Sequence, residues 1–417
     1  MNEENIQLAN NDTQVKPGYK RTEIGVIPDD WEVKTIDDVA TVVGGGTPST
    51  TCSSFWSGGS INWFTPTEIG LNKYVFSSKK KITEDGLKNS SARILPEKTI
   101  LLTSRAGIGD LAILQTSSTT NQGFQSMISK DIINNEFLYY LMSISKKKIL
   151  EKASGSTFLE ISPNNLKSIQ IPLPPLPEQK AITTVLSDAD SLIQALEKKI
   201  AKKQLIKKGA MQKLLSPKEG WEVKTLGEIA KYRRGSFPQP YGLPQWYDQN
   251  NGMPFVQVYD VDKNMKLKST TKQKISELAK NKSVFVKKGS IILTIQGSIG
   301  RIAVTQYDAY VDRTLLIFTD YSVPMDVVFF SFIVQEKFRI EKENAPGGII
   351  KTITKEALSK FVISFPKTKE EQAGIAQILT DMDNEIELLQ KKLAKYKQLK
   401  QGLMQNLLTG KIRVSNA

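Results

Sequence analysis

Apolar positions along this chain alternate between two textures. Short apolar runs punctuated by Gly, Pro, Asn and Ser occupy two stretches, for example at Thr99–Thr103, Leu111–Leu114, Val284–Val286, Ile291–Ile295 and Ile302–Thr305. Such runs, bounded by turn formers, predict strands and loops with a few short helices. Each stretch gives way to a segment with another rhythm. From Glu178 to Leu215 there is no proline, and Ile182, Val185, Leu186, Ala189, Leu192, Ile193, Leu196, Ile200 and Ile206 recur at three- and four-residue steps. Ile375, Ile378, Leu379, Met382, Ile386, Leu389, Leu393, Tyr396, Leu399, Leu403 and Leu407 repeat the rhythm further on. Spacing of that kind, sustained for about five heptads, predicts a coiled-coil seam along a long helix. Pro172, Pro174, Pro175 and Pro177 mark the start of the first helix, and Pro366 that of the second.

The two textures alternate because the chain is duplicated. Trp31-Glu32-Val33-Lys34-Thr35 recurs as Trp221-Glu222-Val223-Lys224-Thr225, Ile100–Thr103 as Ile291–Thr294, and Glu178-Gln179 as Glu371-Gln372. Gly209-Ala210-Met211-Gln212-Lys213-Leu214-Leu215 returns as Gly402-Leu403-Met404-Gln405-Asn406-Leu407-Leu408. The offset drifts from 190 to 193, the signature of small insertions between two copies of one unit. Across Thr47–Ser91 and Ser236–Lys282 the copies do not align. The expected organisation is a disordered or loosely held N-terminus (1–20), a globular part (21–177), a long helix (178–216), a second globular part (217–370), a second long helix (371–410) and a C-terminal tail (411–417). Each helix should span about 57 Å. Because only Ser216 to Gly220 separates the first helix from the second globular part, paired seams must run antiparallel with one globular part at each end. The predicted fold is α/β (α+β) with an internal pseudo-twofold axis.

Composition then removes whole classes of chemistry. The 417 residues contain no histidine, which excludes Ser-His-Asp and Cys-His nucleophile systems, histidine general bases and His-containing zinc sites. A single cysteine, Cys52, excludes an internal disulfide and Cys-rich metal sites. No apolar run is long enough to span a bilayer, and the acidic, amide-rich start has no signal-peptide pattern, so a cytoplasmic protein is expected. Lys and Arg number 57 against 43 Asp and Glu, a net charge of +14. A basic chain of this kind points to polyanions, nucleic acid first among them.

Motifs for catalysis and cofactors are missing. Gly410-Lys411 lacks the upstream glycine of a phosphate-binding P-loop. Gly44-Gly45-Gly46-Thr47-Pro48 opens no helix and reads as a structural turn. Pro28-Asp29 with Glu32-Val33-Lys34 looks superficially like a metal-dependent nuclease, but Trp221-Glu222-Val223-Lys224 repeats it without the Pro-Asp, so it reads as the start of a strand. No cofactor is expected. The globular parts instead offer cations and aromatics on polar loops. Candidate DNA-contacting residues in the first copy are Tyr74, Lys79, Lys80, Lys81, Lys88, Arg93 and Arg105. In the second they are Arg233, Arg234, Tyr247, Lys272, Lys274, Gln296 and Arg313. Lys neutralises phosphate, while Arg and Gln read base edges bidentately. Arg105 and Gln296 occupy equivalent turns, just before Gly107 and Gly297. Trp31 and Trp221 read as core.

Glu23-Ile24-Gly25-Val26-Ile27-Pro28-Asp29-Asp30-Trp31, the Pro174-Pro175-Leu176-Pro177-Glu178-Gln179 start of a long helix, and the Gly-x-Met-Gln-x-Leu-Leu ending together resemble the specificity (S) subunit of type I restriction–modification enzymes. The resemblance covers nearly the whole chain beyond about residue 20. It implies two target-recognition domains, each reading half of a bipartite site in double-stranded DNA. It also implies conserved helices that act as ruler and platform for two methyltransferase subunits, with restriction subunits joining the complex. Adenine methylation and ATP-dependent cleavage would belong to those partners, which would bind S-adenosylmethionine and ATP. Copy two departs from the pattern in having only Phe365-Pro366-Lys367-Thr368-Lys369 ahead of its helix. Two other readings stand beside this one: a coiled-coil scaffold, and an anti-restriction specificity-like protein without partners of its own. Steep salt dependence of DNA binding separates the first of these from a DNA reader.

Overall fold

The structure is a computed structural model that describes residues 15–155, 159–344 and 353–414. It divides into two compact units: Met1–Ala195 with Leu393–Ala417, and Leu196–Lys392. Each unit therefore combines one globular domain with the first half of its own long helix and the last half of the other. Most of the predicted loose segment 1–20 lies outside the described residues. Tyr19 and Lys20 are corrected into a strand, Tyr19–Thr22, which pairs antiparallel with Gly25–Pro28. Lys20 Nζ anchors it by donating to Asp29 O at 2.7 Å.

In the first unit a five-stranded sheet runs Ala40–Gly44, Gln125–Ser129, Ile100–Leu102, Leu111–Leu114, Tyr74–Val75 in spatial order. A smaller sheet sets Ile61–Phe64 between Thr119–Thr120 and Lys80–Ile82. The main core packs the larger sheet onto the helix Asn135–Ile144 through Ile100, Leu102, Ile113, Phe137, Leu138 and Leu141. It continues into Ile182, Leu186, Leu407 and Leu408 of the long helices. The second unit repeats the plan. Ala230–Arg234, Leu315–Tyr321, Ile291–Thr294 and Ile302–Val304 form one sheet; Gln273–Ile275, Met253–Val256, Ala309–Val311 and Val284–Val286 form the other. Phe329, Phe330 and Phe332 join the first of these to Ile375, Leu379 and Leu215.

The two long helices are Leu176–Leu214 and Lys369–Leu407, 39 residues each. They run antiparallel: Asp190 meets Lys400 in the first unit at 2.5 Å, and Lys203 meets Glu385 in the second at 2.8 Å. The seam is narrower than the periodicity predicts. Ile182, Leu186 and Leu379 are fully covered, but Leu192, Ile206, Ile378 and Leu399 are exposed. A straight helix drifts about 20° per heptad, so a single stripe leaves a two-helix contact before its end.

The recurring Glu-Gln pair ties each helix to its domain. Trp31 Nε1 donates to Glu178 at 2.9 Å, and Trp221 Nε1 to Glu371 at 3.1 Å. Gln179 accepts from Asn134 N–H and donates to Ile132 O and Pro174 O, while Gln372 accepts from Asp326 N–H and donates to Pro324 O and Pro366 O. A fully buried amide with every polar group satisfied sets a unique angle of departure. The shorter proline run of the second copy thus leaves its helix start unchanged.

Candidate nucleic-acid interface

Backbone hydrogen bonds align the two domains where their sequences do not. Asn121 N–H donates to Phe64 O at 3.1 Å and Asp312 N–H to Val256 O at 3.0 Å; Gly46 N–H donates to Thr120 O and Ser236 N–H to Val311 O. Glu68 Oε1 accepts the Lys79 N–H, and Asp260 Oδ1 the Lys272 N–H. The expectation that Thr47–Ser91 and Ser236–Lys282 share no alignment is therefore corrected. Lys79-Lys80-Lys81-Ile82 corresponds to Lys272-Gln273-Lys274-Ile275, with Ile82 opposite Ile61 and Ile275 opposite Met253. The frame is held by main-chain groups and one carboxylate in each copy, so its other side chains were free to diverge.

Three loops of each domain converge at one edge. The first is a 3₁₀ turn, Pro66–Glu68 or Val258–Asp260, closed by the carboxylate of Glu68 or Asp260, which accepts the N–H of Thr65 or Gln257. The second follows a short strand and contains Asn121 and Gln122, or Asp312 and Arg313. The third is the turn carrying Arg105 or Gln296, pinned by Thr103 Oγ1 accepting from Asp110 N–H at 3.0 Å or Thr294 Oγ1 from Arg301 N–H at 2.9 Å. Ser104 N–H donates to Gly123 O and Ile295 N–H to Thr314 O, which locks the third loop to the second. The glycine segment passes against the same loop. A Cβ at Gly45 would lie 2.0 Å from Asn121 O, and one at Gly235 2.2 Å from Val311 O. Those glycines serve a close backbone approach, as a structural turn should.

Arg105, Gln296 and Arg313 of the sequence candidates stand on these loops and are exposed. Arg105 pairs with Glu160 at 3.0 Å. Lys79 and Lys272 flank the 3₁₀ turn through their carboxylate-held N–H groups. Lys80 and Lys81 lie on the neighbouring strand, where they line a hollow of about 340 Å³ with Thr50 and Trp56. The Lys80 ammonium sits 5.8 Å from the Trp56 ring centroid. Trp56 and Tyr247 are equivalent, since Phe55 O accepts from Thr83 N–H and Trp246 O from Ser276 N–H. Sequence reasoning singled out Tyr247 and missed Trp56, whose only signal was an aromatic in a Ser/Gly-rich loop. Lys274 is half-buried on its strand; Lys88 and Arg93 are exposed beyond the first-copy strand. Arg233 and Arg234 are exposed at the end of Ala230–Arg234, Arg234 within electrostatic reach of Glu356.

Tyr74 stands apart from the three loops. Its hydroxyl donates to Glu136, in a cluster where Lys73 Nζ reaches Glu136 at 2.9 Å and Tyr140 Oη at 2.8 Å, and Tyr140 donates to Asp190 of the first long helix. It is a tie between domain and helix.

The second domain carries polar groups that composition did not reveal. Tyr241 Oη donates to the buried Asp312 at 3.0 Å, Gln257 Nε2 donates to Tyr241 Oη, and Tyr259 Oη donates to Gln257 Oε1. Arg313 lies 5.6 Å from the Tyr241 ring centroid, and Lys272 5.2 Å from that of Tyr259. Partial burial, then the Asp260 charge, push the Tyr259 hydroxyl up to about 12. Burial and then Asp312 push Tyr241 up as well. Among the described residues no cluster of three or more His, Cys, Asp or Glu is placed to hold a metal, and no helix is long and apolar enough to cross a membrane.

The family model described as the type I restriction modification DNA specificity domain matches this chain twice, over residues 28–207 and 218–398. The chain belongs to that family. The type I restriction enzyme MjaIX specificity subunit of Methanocaldococcus jannaschii is 39% identical over 290 residues, which cover 63% of this chain and 64% of that protein. A putative MjaX specificity subunit of the same organism is 28% identical over 95% of this chain and 97% of its own length. The fold is shared with the S subunit of a type I restriction-modification system from M. genitalium, at 17% identity and a TM-score of 0.56 over 94% of this chain and 99% of that one. A chain solved in work on assembly and conformational transition of a type I system gives 0.63 at 16% identity, over 93% and 99%. As a specificity-family fold, the chain has the duplicated α+β architecture and antiparallel long helices expected of it.

Proposed function

We propose that this chain is the non-catalytic, DNA-reading subunit of a type I restriction–modification complex. Residues 21–177 and 217–370 are its two readers, and 178–216 and 371–410 its connecting helices. Each reader takes one half of an asymmetric bipartite site in double-stranded DNA. The supporting observation is that both domains hold three loops on one hydrogen-bonded frame while the side chains at the loop tips differ. Arg105 stands where copy two has Gln296, Gln122 where it has Arg313, Thr65 where it has Gln257 and Thr67 where it has Tyr259. Packing demands the same residues in both copies; base-reading positions answer only to the bases each copy meets. Lys79/Lys272 and Lys81/Lys274 are the same in both and suit phosphate, which has no sequence. Lys80, Lys88, Arg93, Arg233 and Arg234 add to the basic surface around the loops.

Two methyltransferase subunits dock on the paired helices in this reading, and restriction subunits join them in the cytoplasm. Apolar side chains left uncovered on the helices favour such docking: Leu205 and Leu388 in the second unit are 71% and 69% exposed, and Leu399 in the first 53%. Methylation of adenine and ATP-dependent cleavage are then the partners' chemistry. The test is selection from a randomised duplex pool by the full chain assembled with methyltransferase subunits. An asymmetric two-part sequence is expected, whereas a palindrome or no enrichment overturns the reading.

A further inference from the structure

The polar relay of the second domain has a fixed direction. Asp312 is buried, and Thr314 donates both its N–H and its hydroxyl to Asp312 Oδ1. An ionised carboxylate only accepts. The Tyr241 hydroxyl must therefore give its proton to Asp312 Oδ2, which leaves the Tyr241 oxygen to accept from Gln257 Nε2. The Gln257 amide is thereby oriented: its carbonyl faces the Tyr259 hydroxyl, which donates to it. This chain of donors settles which end of the amide is nitrogen, the ambiguity that a lone glutamine retains. Gln257 is also placed by its backbone, because its N–H donates to Asp260 Oδ2 at 2.9 Å and its main-chain carbonyl accepts the Asp260 N–H at 2.9 Å, which leaves the side-chain amide out of the turn. Burial raises the pKa of both tyrosines, so both hydroxyls keep their protons at neutral pH.

One Gln257 N–H and one carbonyl lone pair remain unspent, side by side. That donor–acceptor pair is the complement of adenine N7 and N6–H₂ in the major groove. From this geometry we infer that Gln257 is the adenine-reading residue of the second domain, and that Asp312, Tyr241 and Tyr259 are positioning residues that hold its amide in register. The inference rests on the DNA-reading function proposed above. The first domain has no such device: Thr65 replaces Gln257, Thr67 replaces Tyr259, and Asn121 replaces Asp312 while keeping its backbone role by accepting from Gly123 N–H at 2.9 Å. Asn at this position is therefore compatible with the frame, and Asp312→Asn is a mild way to remove the relay's direction. With an amide at 312, Tyr241 is free to receive rather than give a proton, and Gln257 loses its orientation.

The experiment is the same pool selection with the full chain and its methyltransferase partners, comparing wild type, Gln257→Ala, Tyr259→Phe and Asp312→Asn. Discrimination at a single A·T pair of the second half-site should fall about 5- to 150-fold in Gln257→Ala, with the first half-site unchanged. Tyr259→Phe and Asp312→Asn should relax that same position and no other. A merely structural role would instead weaken all positions together or lower the melting temperature without changing the sequence preference. Gln257→Glu, an acceptor only, should turn the preference at that position towards the C·G pair. An unchanged second half-site in Gln257→Ala, or relaxation at a G·C position, overturns the assignment while leaving DNA reading intact. A wild-type chain that selects no sequence overturns both.

Discussion

Arg413 shows how much structure a single residue near the end of the chain can hold. Its guanidinium bonds both oxygens of Asp30, at 2.9 and 2.8 Å, and both of Glu178, at 2.6 and 2.7 Å. Glu178 is nearly covered and also accepts from Trp31, so removing the cation strands a buried carboxylate. Arg413→Ala should cost about 1.5–3 kcal/mol in the unfolding of the full chain, the range for hydrogen bonds to charged groups. The Arg413 hydrogen bond holds the Asp30 pKa below its ordinary value, against a smaller opposing effect of burial. A depressed folded pKa means stabilisation that is fully present above about pH 4 and lost as pH falls through the folded value. The melting-temperature gap between wild type and Arg413→Ala should therefore be full at neutral pH and shrink below about pH 4; a gap that widens with acid contradicts the clamp. At the proposed reading edge, Arg105 is held by Glu160 in a half-exposed pair worth less than about 1 kcal/mol. Glu160→Gln should leave the melting temperature nearly unchanged and tighten binding, while Arg105→Ala should relax the first half-site alone. Residues with such roles were unevenly legible. Arg105, Gln296 and Arg313 announced themselves by type, but Gln257, Tyr259 and Tyr241 are ordinary polar residues whose meaning comes only from the buried Asp312 beneath them.

At the level of elements, the long helices were plain in the sequence because a 3–4 repeat is local and persists for many turns. Their antiparallel pairing followed from connection lengths alone. Strands of three or four residues carry no comparable signal. The shared Lys-x-Lys-Ile strand escaped notice because its frame depends on Glu68 in one copy and Asp260 in the other, side chains of different length that reach the same backbone N–H. In the proposed reading the lysines of these aligned strands contact phosphate and not bases. Lys81→Ala and Lys274→Ala should each weaken binding to all sequences alike and flatten the slope of log K against log salt by about 0.9. Loss at one base position only would move them into the reading set. Tyr74, an exposed aromatic beside a lysine, shows what type alone does not reveal: its hydroxyl is bound to Glu136. In the proposed assembly the helices set the separation of the half-sites. Inserting four residues in both, between Ala195 and Leu196 and between Lys392 and Leu393, adds about 6 Å of helix. The spacer should lengthen by about two base pairs with both half-sites unchanged. An altered half-site with the old spacer would refute the ruler.

The whole chain is one unit used twice, with its scaffold preserved and its loop tips allowed to drift. Each compact unit borrows the closing stretch of the other copy's helix, so Leu407 and Leu408 complete the first core as Leu215 completes the second. Duplication explains why so much of the fold was readable: two sets of residues under the same packing constraints reveal which positions are structural. In the proposed reading, the base-reading residues are those where the copies disagree. Two identical readers on a pseudo-twofold frame select an inverted repeat; two different readers do not. The decisive measurement is single-molecule sequencing of methylated adenine across a host genome with and without this gene. The account predicts an asymmetric two-part motif, methylated only when the gene is present. A palindromic motif, or methylation indifferent to the gene, would contradict it.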